Sequence, residues 1–307
     1  MASVSKSLEE QKENCPFCGI VSGKIPSKKV FEDKHVFCVL DKKPANNGHL
    51  LVIPKKHVPV TPLLEVEALE SLAIASKNLS NKLLKAFKVQ GTSLFVANGG
   101  VAGQMMPHSV FHLIPRSEGD SVSLNPVFKE LDVSAEKEMV GKVLGQSEEG
   151  DVLARDDDIT ILCPSSTLVK GMLSIFPNEE YVIMEQVPDD LLVKMFQVAN
   201  KLSGSLFEAL NCEGTNLLIQ NGVSAGQTSS VFSINIIPRY SEDGLDLSWS
   251  GKDSQPKDLE ENLELLHGVD KKEKQEAFES EQKEKLEEEP EEEEVEDYLA
   301  RSLRRLP

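Results

Sequence analysis

Two thiols three residues apart in Cys15-Pro16-Phe17-Cys18 and two imidazoles in His108-Ser109-Val110-Phe111-His112 are the groups of this chain best suited to chemistry. Close cysteine pairs bind metal or do redox work. Side chains alternate across a strand, so His108, Val110 and His112 are expected to share one face. Ser109 and Phe111 then face the other way, which makes Ser109 a poor nucleophile. Just upstream, Asn98-Gly99-Gly100-Val101-Ala102-Gly103-Gln104 reads as a glycine-rich turn, a backbone arrangement that suits an anion.

A repeat frames these residues. An ungapped offset of 123 lays Asn98–Gln104 on Asn221–Gln227 and Ile114-Pro115-Arg116 on Ile237-Pro238-Arg239, with Gly48 on Gly171 and Pro54 on Pro177. A shift held over so long a stretch means a duplicated domain. Where the first copy has His108, Val110 and His112, the second has Val231, Ser233 and Asn235.

The stretch from Gly103 to Arg116 resembles the signature of the histidine-triad (HIT) family of nucleotide hydrolases and transferases, His-x-His-x-His after a Gly-Gln pair, with Val110 at the middle position. In that family the middle histidine attacks the α-phosphate and carries the nucleotidyl group, so the resemblance implies an active-site frame without its nucleophile. The zinc-bearing branch of the family adds a Cys-x-x-Cys and an Ile-Pro-Lys-x-His run. By resemblance, Cys15, Cys18, His57 and His108 form a closed tetrahedral site for one structural Zn2+ per chain; the alternative is buried thiols and satisfied core histidines. The second copy has Glu138, Gly141, Glu180 and Val231 there, and no zinc is expected.

The resemblance also implies a nucleotide site in the first copy. Asp41, in Leu40-Asp41-Lys42-Lys43-Pro44, would hold the ribose hydroxyls; Phe17 and Val39 would flank the base. Asn98, Gly103 and Gln104 would meet the phosphate beside the retained His49 and His112. From the residues alone, Asp41 and Asn98 also read as turn initiators and Gly103 as a tight-turn glycine. Asn221 and Gln227 persist in the second copy while Asp41 becomes Pro164, a pattern that points to fold maintenance there.

The elements that must position these groups read as α+β in each copy. Residues 35–40 and 49–53 are short apolar runs rich in branched side chains, hence strands, with copies at 159–162 and 172–176. Thr61 as N-cap and Pro62 at the first helical turn predict a helix over 62–87, repeated at 188–210. Strands at 92–96 and 216–220 run into the Asn-Gly turns. The expected architecture is two tandem HIT-like domains, each an antiparallel sheet plus a long helix, paired as an intramolecular pseudo-dimer like that of tandem galactose-1-phosphate uridylyltransferases. The expected domains are a zinc-bearing HIT domain at 13–127, a degenerate copy at 128–246 and an acidic tail at 247–307.

Length suits two domains, and the formal charge of −18 argues against nucleic-acid or anionic-membrane partners. Residues 270–307 carry 15 acidic and 8 basic side chains, and 270–297, dominated by Glu and Lys, predict a solvated segment, disordered or a single charged helix. Val295, Tyr298, Leu299, Leu303 and Leu306 make an apolar stripe, read either as a frayed end or as an amphipathic helix docking on a protein partner. Absence of a signal-like or spanning run, and five cysteines, predict a cytoplasmic location.

Three functions compete. The first is a zinc-containing pseudoenzyme that binds a purine mononucleotide or dinucleotide, and the second a HIT-class phosphoanhydride or phosphoramidate hydrolase, or nucleotidyltransferase, using His49 or His112 as base for direct water attack. The third is a scaffold acting through the C-terminal tail.

Overall fold

The computed structural model describes residues 11–145 and 150–288, with side chains described to 276 in the last helix. Ten strands form one antiparallel sheet. The first copy contributes β1 (Lys29–Glu32), β2 (Val36–Leu40), β3 (Leu50–Pro54), β4 (Gly91–Asn98) and β5 (Phe111–Arg116). After a short β6 (Lys129–Glu130), the second contributes β7 (Val152–Arg155), β8 (Ile159–Leu162), β10 (Leu173–Pro177), β11 (Gly214–Asn221) and β12 (Ile234–Arg239), with β9 (Ser166–Thr167) pairing β6 apart from the main sheet. The order β1-β2-β3-β5-β4-β11-β12-β10-β8-β7 reads the same from either edge once the offset is applied.

The two copies meet at β4 and β11, which pair antiparallel over seven residue pairs from Thr215–Asn98 to Asn221–Thr92, with Phe95 opposite its own repeat equivalent Leu218. Pairing of the two copies within one chain, as the resemblance implies, thus produces a continuous sheet. One sheet face is covered by α2 (Val66–Phe87) and α4 (Asp189–Leu210), whose Leu69, Leu72, Leu79 and Leu83, and Leu192, Phe196 and Leu206, bury into a single core. Both helices contain the helical spacing expected, but α2 starts later than predicted. Thr61 lies in a 3-10 turn, and Leu64 and Glu65 are extended before the helix begins. The Thr61 hydroxyl instead accepts a hydrogen bond from Asn98 Nδ2 at 3.0 Å.

The residues that the copies share explain themselves at the seam. Asn98 is fully buried; its Oδ1 accepts the Thr61 N–H, and its Nδ2 donates to Thr61 Oγ1 and across to Thr215 Oγ1. Asn221 mirrors it, accepting the Met184 N–H and donating to Thr92 Oγ1 and Glu185. Arg116 and Arg239, also buried, pair with Asp120 and Asp243 and reach back to Ser93 and Asn216.

Beyond each copy the chain crosses to the other. Residues 122–128 pack Val122, Leu124 and Phe128 into a cluster with Leu168, Val169 and Met172, and α3 (Ser134–Leu144) packs on α4. Residues 245–254 return over the first copy, where Ser254 N–H donates to Lys42 O at 2.9 Å. At Gly251 a Cβ would come 2.3 Å from the Lys43 carbonyl oxygen, so only glycine permits this approach. Then α5 (Pro256–Glu288) buries Leu259 and Leu266 and pairs Asp270 with Lys82 of α2. The segment assigned to the acidic tail from 247 packs against the fold at its start, where Leu247, Trp249, Leu259 and Leu266 supply the apolar surface. The charged-helix alternative describes α5; the apolar stripe at 295–306 lies outside the described residues.

Candidate functional site

Two clusters of donor atoms lie on the first copy. The first joins the N-terminal segment to the chain before β5. Cys15 precedes the short α1 (Pro16–Val21), which carries Phe17 and Cys18. Cys15 Sγ is 3.3 Å from His108 Nδ1, and Cys18 Sγ is 3.3 Å from His57 Nδ1 and 3.6 Å from His108 Nδ1. The two imidazole Nδ1 atoms are 3.3 Å apart. His108 is oriented from behind by Pro54, whose carbonyl oxygen lies 3.0 Å from Nε2. Burial lowers both histidines, His108 to about 4, so both rings are neutral and able to ligate. Burial and the adjacent Cys15 push the Cys18 thiol up to about 11. Together the four residues could hold a metal ion.

His108 does not share a strand with His112 as the alternation predicts. Pro107 precedes a bend in which His108 N–H donates to Met106 O at 2.7 Å, and β5 begins only at Phe111. Val110 nevertheless reaches the face expected of it. It is 6% exposed and packs with Phe37, Val39, Leu51, Ile53 and Phe17. Ser109 is fully buried, its hydroxyl without a partner among the described residues.

The second cluster brings three groups together. Asp41, at the end of β2, turns the backbone by accepting the Lys43 N–H at 2.9 Å, and its other oxygen lies 3.4 Å from His49 Nδ1. His49 is fully buried just ahead of β3, and its Nε2 lies 3.2 Å from His112 Nδ1 in β5. The Ala45 N–H donates to His49 Nδ1 at 3.1 Å, which puts the imidazole proton on Nε2. His49 therefore donates to His112 Nδ1, and His112 presents an N–H, not a lone pair, at its free nitrogen. Burial drives both histidines down to about 3; for His112 the neighbouring His49 adds to the effect and Asp41 opposes it. A neutral donor of this kind can orient an anion but cannot take a proton from water, which counts against His49 or His112 as general base.

The remaining predicted residues separate. Phe17 and Val39 are together, beside Val110, with Val39 only 1% exposed and Phe17 edge-on to the His108 ring. Asn98 lies in the seam, its amide consumed as described, and does not face the cluster. Gln104 braces its own turn, accepting the Gly99 N–H and donating to Pro59 O. Gly103 has φ +91° and open space at its Cβ position, yet its N–H donates to Gly100 O. The Gly103 and Gln104 N–H groups are thus bonded within the turn and the Asn98 amide is bonded at the seam, a structural role that accords with the persistence of Asn98 and Gln104 as Asn221 and Gln227.

Sequence reading missed Trp249, the single tryptophan of the chain. Delivered by the crossing segment after the second copy, its ring centroid lies 5.1 Å from His112, 5.7 Å from His49 and 5.6 Å from Phe95. It falls beyond the repeat, where no motif draws attention to it. Cys38, Cys163 and Cys212 are buried packing thiols, and no described helix is long and apolar enough to cross a membrane.

A family model described as HIT domain matches twice, at residues 22–119 and 146–242. An uncharacterised HIT-like protein of Methanocaldococcus jannaschii is 39% identical over 127 residues, covering 38% of this chain and 98% of that protein. An adenylylsulfatase of Arabidopsis thaliana is 33% identical over 125 residues, 41% of this chain and 64% of its own length. Among solved structures, an ADP-glucose phosphorylase of Arabidopsis thaliana with bound ADP-glucose superposes with a TM-score of 0.57 over 82% of this chain and 88% of that one, at 14% identity, a likeness of fold alone.

Proposed function

Because this chain belongs to the HIT family, twice over and with Val110 in place of the middle histidine, we propose that its first copy binds a purine mononucleotide or dinucleotide without forming a covalent intermediate. The observation that carries this reading is the His49–His112 hydrogen bond with the Asp41 carboxylate close by, and the sealed Val110, which offers no nucleophile, at the middle position. Asp41 supplies a carboxylate for vicinal hydroxyls, His112 an N–H for a phosphoryl oxygen, and Phe17 with Trp249 aromatic surface. The relationship to an adenylylsulfatase supports an adenylyl compound as the ligand class.

The donor set of the other cluster supports zinc. A tetrahedral ion with about 2.3 Å to sulfur and about 2.05 Å to nitrogen requires edges of about 3.5 Å between unlike ligands and about 3.3 Å between two nitrogens. The observed 3.3 to 3.6 Å and 3.3 Å fit that figure. With Cys15, Cys18, His57 and His108 as ligands the shell is complete, leaving no open position for chemistry. One such ion per chain would tie the N-terminal segment to β3 and β5.

Calorimetric titration of the full-length protein with AMP, ADP and adenylyl sulfate, with product analysis of each mixture, tests the reading. Binding with the nucleotide recovered intact is the expected result. Rapid conversion would mean that the hydrolase reading is correct by a route other than a histidine nucleophile.

A further inference from the structure

The second copy carries a cleft that the nucleotide reading leaves unused. It lies on the sheet face that holds His112, at the place the repeat offset assigns to that histidine, and encloses about 420 Å3. That is within the range of roughly 300–1,000 Å3 typical of small-molecule sites. Its floor is Ser174 of β10 opposite Asn235 of β12. The Ser174 hydroxyl donates to Asn235 Oδ1 at 2.8 Å, which fixes the amide, and Asn235 Nδ2 has no partner among the described residues. Phe176 forms one wall. Phe128, brought across by the chain that follows the first copy, forms another, and Thr228 stands on the rim.

No acidic, basic or imidazole side chain lines this cleft. Pro164, Met172 and Asn235 stand where the first copy has Asp41, His49 and His112, so every titratable group of that row has a neutral counterpart. A phosphate would find no cation here and would enter against a chain of net charge −18. Hydroxyls and amides offer donors and acceptors together, and two phenyl rings offer flat apolar surface. We propose that the second copy's cleft binds a neutral, hydroxyl-bearing ring compound, of the class of an unphosphorylated nucleoside or a monosaccharide.

The test titrates the full-length protein with adenosine, with D-glucose and with AMP separately, by calorimetry and ligand-observed NMR. In an Asp41→Ala background, which removes the first copy's carboxylate for ribose hydroxyls, saturable binding of adenosine or glucose is expected, weakened at least about tenfold by Asn235→Leu and by Thr228→Trp. Which neutral compound binds identifies the source of the ring. AMP binding by the parent chain should be weakened by Asp41→Ala and not by the cleft variants, so its failure to bind would overturn the first-copy reading while leaving this one standing. Absence of saturable binding by both neutral compounds would overturn the proposal. So would binding in that background that the cleft variants do not weaken. Thr228 is a rim position, so its variant keeps the test decisive if Asn235→Leu lowers the melting temperature.

Discussion

Across one sheet face the two copies place different chemistry on the same scaffold. In the first, His49 and His112 are hydrogen-bonded to each other near the Asp41 carboxylate and beside Trp249; in the second, Pro164, Met172 and Asn235 occupy those positions beside Phe128. The seam shows the reverse, with Asn98 and Asn221 in matching roles and Arg116–Asp120 matched by Arg239–Asp243. Residues that hold the copies together survive in both, because losing either leaves buried polar groups unpaired. Residues on the open face are free to differ. The proposed ligand-binding groups therefore lie where the repeat breaks, and the matched hydrogen bonds of the seam where it holds.

The largest asymmetry expected is in metal. Cys15→Ser should abolish about one equivalent of zinc and destabilise the first copy by several kcal/mol, a fraction of the roughly 10–16 kcal/mol apparent at sites whose folding is coupled to zinc. The matching change Glu138→Ala should alter neither zinc content nor melting temperature. Elemental analysis with thermal melts reads both, and equal metal content in the two variants would break the ligand assignment.

Acid should expose a second asymmetry. His49 and His112 stay neutral in the folded chain down to about pH 3, whereas unfolded they take up protons near the ordinary histidine value of 6.5. Between those values the unfolded state binds more protons, so their contribution is complete above pH 6.5 and is lost as pH falls toward 3. The expected slope is about 1.4 kcal/mol per pH unit for each histidine. Replacing the pair by the second copy's residues, His49→Met with His112→Asn, should flatten the denaturation profile between pH 6.5 and 4.5. An unchanged slope would place the acid sensitivity elsewhere.

At the seam the comparison predicts equality. Asn98→Ala and Asn221→Ala should each cost about 2–3 kcal/mol, since each strands a buried backbone N–H and a hydroxyl partner. Urea denaturation measures both; a loss confined to Asn98 with an accompanying loss of nucleotide affinity would restore it as a phosphate ligand.

Nucleotide affinity should separate the copies again. Asp41→Ala should weaken AMP by about 1–3 kcal/mol through loss of a charged acceptor, and Pro164→Ala should leave it unchanged. The opposite ranking in calorimetry would move the nucleotide to the second copy.

Much of this arrangement is legible in the chain. Tandem duplication, the strands, the two long helices and the grouping of Cys15, Cys18, His57 and His108 follow from spacing and resemblance. What escapes has a physical cause. Asn98 and Gln104 look like anion contacts because an Asn-Gly turn has the composition of a phosphate cradle; whether its N–H groups point outward depends on side chains folding back, and here Gln104 closes the turn. The crossing segment escapes because Leu247, Trp249 and Gly251 have partners far away in sequence and no local periodicity. Helix α2 starts late, after a 3-10 turn whose Thr61 hydroxyl accepts a hydrogen bond from Asn98 of β4, a partner far off in sequence.

The smallest expected effect bears most directly on what separates the first copy from a working enzyme. Val110 lies on the face of His112 with its side chain enclosed by Phe37, Val39, Leu51 and Ile53. An imidazole there must displace part of that apolar packing, a cost of about 1–3 kcal/mol. It would also find no phosphate cradle in the closed turn of Gly99–Gln104, only the His112 N–H and the Asp41 carboxylate. Covalent catalysis can still contribute far more than these losses. Val110→His should therefore hydrolyse an adenosine phosphoramidate at least about tenfold faster than the parent chain, equivalent to about 1.4 kcal/mol of barrier. Melting temperature and AMP affinity, measured on the same protein, separate a failed fold from a failed nucleophile. A folded, AMP-binding variant with no gain would show that the cleft diverged beyond its nucleophile, and that the first copy, like the second, now serves binding alone.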